Sequence, residues 1–132
     1  MVIDTSAVLA ILLDEVESLP IRRAIEEDAT RLFSAASLLE SSIVIESRFG
    51  DEGGRELDLL IYKAGIEIVS VDQEQVEIAR EGFRRFGKGR HTAGLNFGDC
   101  FAYALSRSRG EPLCFKGTAF DRTDADVVSL GL

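Results

Sequence analysis

Histidine, cysteine and proline are scarce in this chain, at one, two and two in 132 residues. One histidine (His91) and two cysteines (Cys100 and Cys114) do not make the clustered ligand set of a zinc site. Two isolated thiols, one in an expected helix and one in an expected strand, build no disulfide framework and fit a reducing cytoplasm. No apolar run reaches the length of a membrane span, and Met1 leads directly into the first strand, so no signal peptide is expected ahead of the fold. Cations are the minority: 15 Lys and Arg against 23 Asp and Glu give a net charge of −8. That balance argues against a general nucleic-acid coat, whose affinity rests on many Lys and Arg. It permits an acidic pocket that works through a metal. What is present is apolar enough for a core, with 45% hydrophobic residues, and residues 1–132 are expected to form a single globular domain without linkers or repeats.

The chain is organised around its first six residues, Met1-Val2-Ile3-Asp4-Thr5-Ser6. A short buried strand runs into a carboxylate and two hydroxyls, and a helix is expected from Ala7 to Leu13. Further helices are expected over Ser18 to Asp28, Ala35 to Phe49 with Gly50 closing the run, Arg55 to Ala64 beyond a Gly53-Gly54 separator, Asp72 to Phe86 and Asn96 to Arg109. Between them lie strands at Arg31 to Ser34, Ile66 to Val71 and Pro112 to Lys116, with a fifth at Asp126 to Leu130. Strands alternating with helices require crossover connections, hence a mainly parallel sheet of four to five strands covered on both faces. The expected fold class is therefore a three-layer α/β domain.

Three acids can be read in two ways. Asp4 at the end of a strand can cap the next helix, because Asp satisfies orphan backbone N–H groups there. Glu40 follows Ser37 by the spacing of a capping box, and Asp99 follows Asn96 by the same spacing. Capping does not explain why all three should fall near one edge of the same sheet. If the strands are parallel, the acids converge on the carboxyl edge, where open α/β folds hold ligands. Carboxylates gathered there repel unless a cation lies between them, and Mg²⁺ or Mn²⁺ suits all-oxygen ligands. Such an ion can activate water against a phosphodiester.

Several segments together make a more specific match: Val2 to Ser6, Ser37-Leu38-Leu39-Glu40, Phe86 to His91, Gly94 to Phe101, and Leu113 to Gly117 followed by Phe120 and Thr123-Asp124. In this order and spacing the chain resembles the PIN-domain proteins, and among them the VapC-type toxins of bacterial type II toxin–antitoxin systems. The resemblance implies a PIN-like fold and a metal-dependent endoribonuclease held inactive by a cognate antitoxin, with homodimers and toxin–antitoxin hetero-oligomers. Carried over by position, Asp4 and Asp99 are the expected metal ligands and Glu40 completes the acidic site, through water or by activating the nucleophile. Thr5 or Ser6 is expected to hold a ligand or a phosphate oxygen. Relatives commonly carry a further acid where this chain has Ala119. Asp121 or Asp124 can replace it, or the site works with three acids.

Lys88, Arg90 and His91 lie in a glycine-containing loop just before Asp99 and, with Lys116, are the expected grips on an RNA backbone. Arg84 and Arg85 suit a helix C-terminus equally well. His91 also invites a general-base reading, although a metal-bound water leaves less for a base to do. Leu12, Leu13, Leu19, Ile21 and Leu59 to Tyr62 give the early helices apolar weight for the core, or for a groove that takes an amphipathic antitoxin helix. Two other readings compete with the enzyme. One is a PIN-fold binding module without activity, supported by the missing acid at Ala119. The other is a phosphoacceptor domain built on Asp4, Asp72 and Lys116, which lacks the neighbouring acids that chemistry needs after the first strand.

Overall fold

The computed structural model describes residues 1–131. Four short strands, β1 (Val2–Ile3), β2 (Leu32–Ser34), β3 (Glu67–Val69) and β4 (Leu113–Cys114), form one sheet in the order β3-β2-β1-β4. Every pairing is parallel, with Val2 opposite both Leu32 and Leu113, and Phe33 opposite Ile68. Five helices supply the crossovers: α1 (Thr5–Leu12), α2 (Ser18–Glu27), α3 (Ala35–Lys63), α4 (Gln73–Phe86) and α5 (Phe97–Arg109).

Alternation along the strands sorts the core into two layers. Ile3, Phe33 and Cys114 point to one face, where α1, α2 and α3 bury Val8, Ile11, Ile21, Ile25, Ile45 and Leu57. Val2, Leu32 and Leu113 point to the other, against Tyr103 and Leu105 of α5, Phe86 at the end of α4, and Phe115 and Phe120 beyond the last strand. The three-layer expectation holds, with the β1–α1 and β2–α3 junctions side by side at one sheet edge.

Two expectations on element boundaries need correction. Gly50 does break the third helix, at φ 63° and ψ −151°, but the chain resumes helical conformation at once, so Gly53 and Gly54 lie inside a helix and separate nothing. They are small because the two limbs of α3 pack closely: a Cβ on Gly53 would lie 2.8 Å from the Ile45 carbonyl oxygen. The expected fifth strand at Asp126 to Leu130 reduces to one parallel bridge, Val127 opposite Leu113. Leu113 donates to the Asp126 carbonyl (2.9 Å) and accepts from the Val128 N–H (2.8 Å). With β4 only two residues long, there is no further ladder to extend.

Candidate active site

Asp4 bears out its capping reading. It is the N-cap of α1, and Oδ2 accepts hydrogen bonds from the Ser6 N–H (3.0 Å) and the Ser6 hydroxyl (2.6 Å). The Ser6 oxygen itself accepts from the Lys116 N–H at 2.9 Å, just beyond β4. With that lone pair occupied by a donor, the Ser6 proton is directed at Asp4. Asp4 is only 4% exposed. Burial pushes its pKa up to about 6 against the opposing Ser6 hydrogen bonds, and the Asp99 and Glu40 charges add to the rise.

Asp99 bears out its capping reading as well. The Asn96 side chain accepts from the Asp99 N–H (2.9 Å), while Asp99 Oδ2 accepts from the Asn96 N–H (3.0 Å), which completes the capping box expected there. Burial raises the Asp99 pKa, the Asn96 N–H lowers it, and Glu40 raises it further. Asp4, Glu40 and Asp99 are thus near enough for their charges to act on one another.

Glu40 corrects its structural reading. The cap of α3 is Ser34, whose hydroxyl accepts from the Ala36 N–H at 3.2 Å. Ser37 is therefore inside the helix, its hydroxyl buried without a hydrogen-bond partner, and Glu40 sits in the second turn, where no orphan N–H remains to be capped. The Glu40 carboxylate instead lies against Gly98 of α5, next to Asp99.

The remaining expected site residues divide. Thr5 points at α3, its hydroxyl 3.4 Å from the Ser37 carbonyl. Lys88, Arg90 and His91 are exposed in the loop before α5. His91 Nδ1 accepts from the Ala93 N–H (3.0 Å) and its ring stands edge-on to Phe86. The Lys116 ammonium is ion-paired with Glu15, a partner that no short-range pattern names. Asp121 is exposed on a 3-10 turn, Phe120–Arg122. Asp124 accepts from the Tyr103 hydroxyl (2.8 Å) and pairs with Arg85 (3.0 Å). Partial burial works to raise the Asp124 pKa, but the Tyr103 bond and the Arg107 and Arg85 charges outweigh it and hold it below the usual range. Asp124 thus ties the C-terminal segment to α4 and α5. Neither acid figures among the charges that act on Asp4 or Asp99.

The three acids offer carboxylate oxygens, a donor set that fits a hard divalent ion, and the neighbouring Cys100 and Cys114 are held as protonated thiols. Among the described residues no three His, Cys, Asp or Glu side chains are close enough to enclose an ion directly. Mg²⁺ keeps several of its waters and is held through one or two carboxylates, so it does not require three acids in direct contact with it.

The PIN domain matches residues 1–126. The chain belongs to the PIN-domain family. Within it, a ribonuclease VapC of Mycolicibacterium smegmatis is 56% identical over 128 residues, spanning 97% of this chain and 99% of that one. Ribonuclease VapC30 of Mycobacterium tuberculosis is 52% identical over 130 residues, spanning 98% and 99%. The chain is thus of the VapC type. Its fold matches the crystal structure of Mycobacterium tuberculosis VapC20, described as a sarcin-ricin loop cleaving toxin, with a TM-score of 0.78 over 96% of this chain and 97% of that one. At 17% identity that is a likeness of fold alone. Among the described residues of this PIN domain, no helix is long and apolar enough to cross a membrane.

Proposed function

We propose that this PIN-domain protein is a Mg²⁺- or Mn²⁺-dependent endoribonuclease, the toxin of a toxin–antitoxin pair, and that Asp4, Glu40 and Asp99 are its catalytic acids. What supports the reading is that acids from the β1–α1 junction, the second turn of α3 and the start of α5 lie near enough to act on one another's charge, with Glu40 against Gly98 beside Asp99. A bound divalent ion supplies an activated water and neutralises charge developing on the phosphate. Asp4 and Asp99 hold it, each with one carboxylate oxygen tied to backbone or Ser6 and the other left for a ligand. Glu40 faces the same space and takes up a proton from, or orients, the attacking water. Lys88, Arg90 and His91 flank the RNA backbone. Lys116 serves as a phosphate contact only if it leaves Glu15.

Two apolar surfaces support the partner assignments. The groove of α1, α2 and the second limb of α3, lined by Ile11, Leu12, Ile25, Leu59 and Leu60 with a mixed rim of Arg22, Arg31, Lys63, Glu26 and Glu56, suits an amphipathic antitoxin helix. The groove between α4 and α5 exposes Phe97 (79%) beside Val76 and Phe83, and suits a second copy of the chain.

Titration of the antitoxin-free protein with Mg²⁺ or Mn²⁺ against total cellular RNA tests the enzyme reading, with Asp99→Asn as the contamination control. Expected is metal-dependent cleavage, lowered at least about 100-fold in the variant, at or beyond the upper end of what losing a metal-orienting contact costs. Equal cleavage by both proteins would remove Asp99 from the site. No cleavage by either would leave the binding-module reading in its place.

A further inference from the structure

Gly98 occupies the second helical position of α5, immediately before Asp99. Its φ is not in the left-handed region, so the backbone there is open to any residue. Alanine is the better helix former, because glycine loses more backbone freedom on folding and has no side chain to shield the helix. Conformation therefore gives no reason for a glycine at this point. Gly94 and Gly110, either side of α5, have φ of 64° and 65° and do need it.

Space gives the reason. A Cβ built on Gly98 would lie 2.7 Å from Glu40 Cδ and 2.8 Å from Glu40 Oε1, with Oε2 nearer still. These are impossible contacts. The same exercise at Gly82 and Gly87 meets the Tyr103 ring and the Phe83 backbone, groups that cannot step aside. At Gly98 it meets the free end of a flexible side chain. A methyl group there would thus leave the fold standing and move the Glu40 carboxylate.

We infer that Gly98 is a positioning residue: the missing side chain is the space in which Glu40 lies against α5, beside Asp99. Glu40 needs such a place because, among the described residues, no hydrogen bond fixes its carboxylate, whereas Ser6 and Asn96 fix those of Asp4 and Asp99. Steric shape does for Glu40 what backbone N–H groups do for the other two acids. The consequence for metal and substrate rests on the function proposed above, but the contact itself does not.

The test is a double-mutant cycle over Gly98→Ala and Glu40→Ala, read in two ways. The first is the thermal midpoint without metal. In the Glu40→Ala background, Gly98→Ala is expected to raise it, as alanine does in an open helix. In the parent it raises it less or lowers it, so the two positions are coupled. Equal effects in both backgrounds would overturn the inference, whatever the protein does with metal. The second is Mn²⁺ affinity by calorimetry. Gly98→Ala is expected to weaken binding about 10–100-fold, the usual loss when a contact that orients a metal-site residue is removed. Adding Glu40→Asp to Gly98→Ala, which shortens the acid by one methylene, should recover part of that loss. Parent-like affinity in Gly98→Ala, beside a parent that binds Mn²⁺, would also overturn it. A parent that binds no Mn²⁺ would instead reject the metal-dependent function, and the thermal cycle alone would then decide the role of Gly98.

Discussion

Replacing Asp4 with Asn should make the metal-free protein more stable. Asp4 is 4% exposed, and burial raises its pKa from the ordinary 3.8 to about 6. Each pKa unit is worth about 1.4 kcal/mol, so the ionised carboxylate costs the fold about 3 kcal/mol at neutral pH. The sign follows from proton counting. Between about pH 4 and 6 the unfolded chain has released this proton while the folded chain retains it, so stability falls as pH rises through that window and levels off above it. Asparagine keeps the cap, since its Oδ1 accepts from the Ser6 N–H and hydroxyl as Asp4 does, and Asn is as good an N-cap as Asp. The cost of the charge disappears. Denaturant unfolding in a chelator at pH 7 should show Asp4→Asn more stable by up to about 3 kcal/mol, or about 10 °C in Tm for a domain of this size. The difference should shrink toward zero near pH 4. Adding Mg²⁺ or Mn²⁺ should stabilise the parent through binding linkage and leave the variant where it was. A variant less stable than the parent at pH 7 in chelator, or parallel pH profiles, would refute the claim that this acid is held at the expense of the fold.

Three further outcomes follow from the same geometry. Lys88→Ala with Arg90→Ala should weaken RNA binding and reduce the slope of log K against log salt by about 1.4, at about 0.7 per phosphate contact on single strands; an unchanged slope would return the loop to plain solvated surface. Tyr103→Phe removes the hydrogen bond to Asp124 and should cost about 1 kcal/mol in denaturant unfolding, with no such cost when Asp124 is already Ala. The thiols of Cys100 and Cys114 are pushed up to about 11 and about 12, chiefly by burial and secondly by the charges of Asp99 and Asp4. Both should react with an aromatic disulfide at pH 8 only as fast as the protein opens, and rapid labelling of the native protein would contradict their burial.

Much of this is legible in the sequence because it is local. The β1 edge, the Asn96–Asp99 capping box and the alternation of strands and helices all follow from short-range chemistry, and the order of short motifs points to the PIN domain. The misreadings are of another kind. Ser37 and Glu40 have the spacing of a capping box, but a helix that begins at Ala35, as its apolar spacing already implied, is capped by Ser34 and holds Ser37 inside its first turn. Gly53 and Gly54 look like a helix break because close approach between two limbs of one helix leaves no local trace. Lys116 looks free in the sequence, since Glu15 is 101 residues away in the chain. Gly98 does carry a signal, a glycine in a first helical turn with no conformational need for it, but the acid it accommodates lies on another helix.

Asp4 and Asp99 each use one oxygen, Oδ2, on backbone or Ser6 donors at a helix start. Their orientation is therefore set by main chain and by a serine whose own proton is aimed by the Lys116 N–H, a chain of bonds that joins β4 to the end of β1. The same bonds partly offset the burial that would otherwise drive these acids to the neutral form. Capping thus fixes the acids as well as the helices: the bonds that start each helix leave the second oxygen of each acid in a fixed direction. Glu40, one turn too deep in α3 to be held this way, is free to move a proton without disturbing a helix end. An acid that changes protonation during a reaction is best placed outside the capping bonds, and two that stay ionised to hold a cation are best placed within them. On that ground we propose Asp4 and Asp99 as direct ligands, and Glu40 as the acid that meets the ion through water and acts on that water.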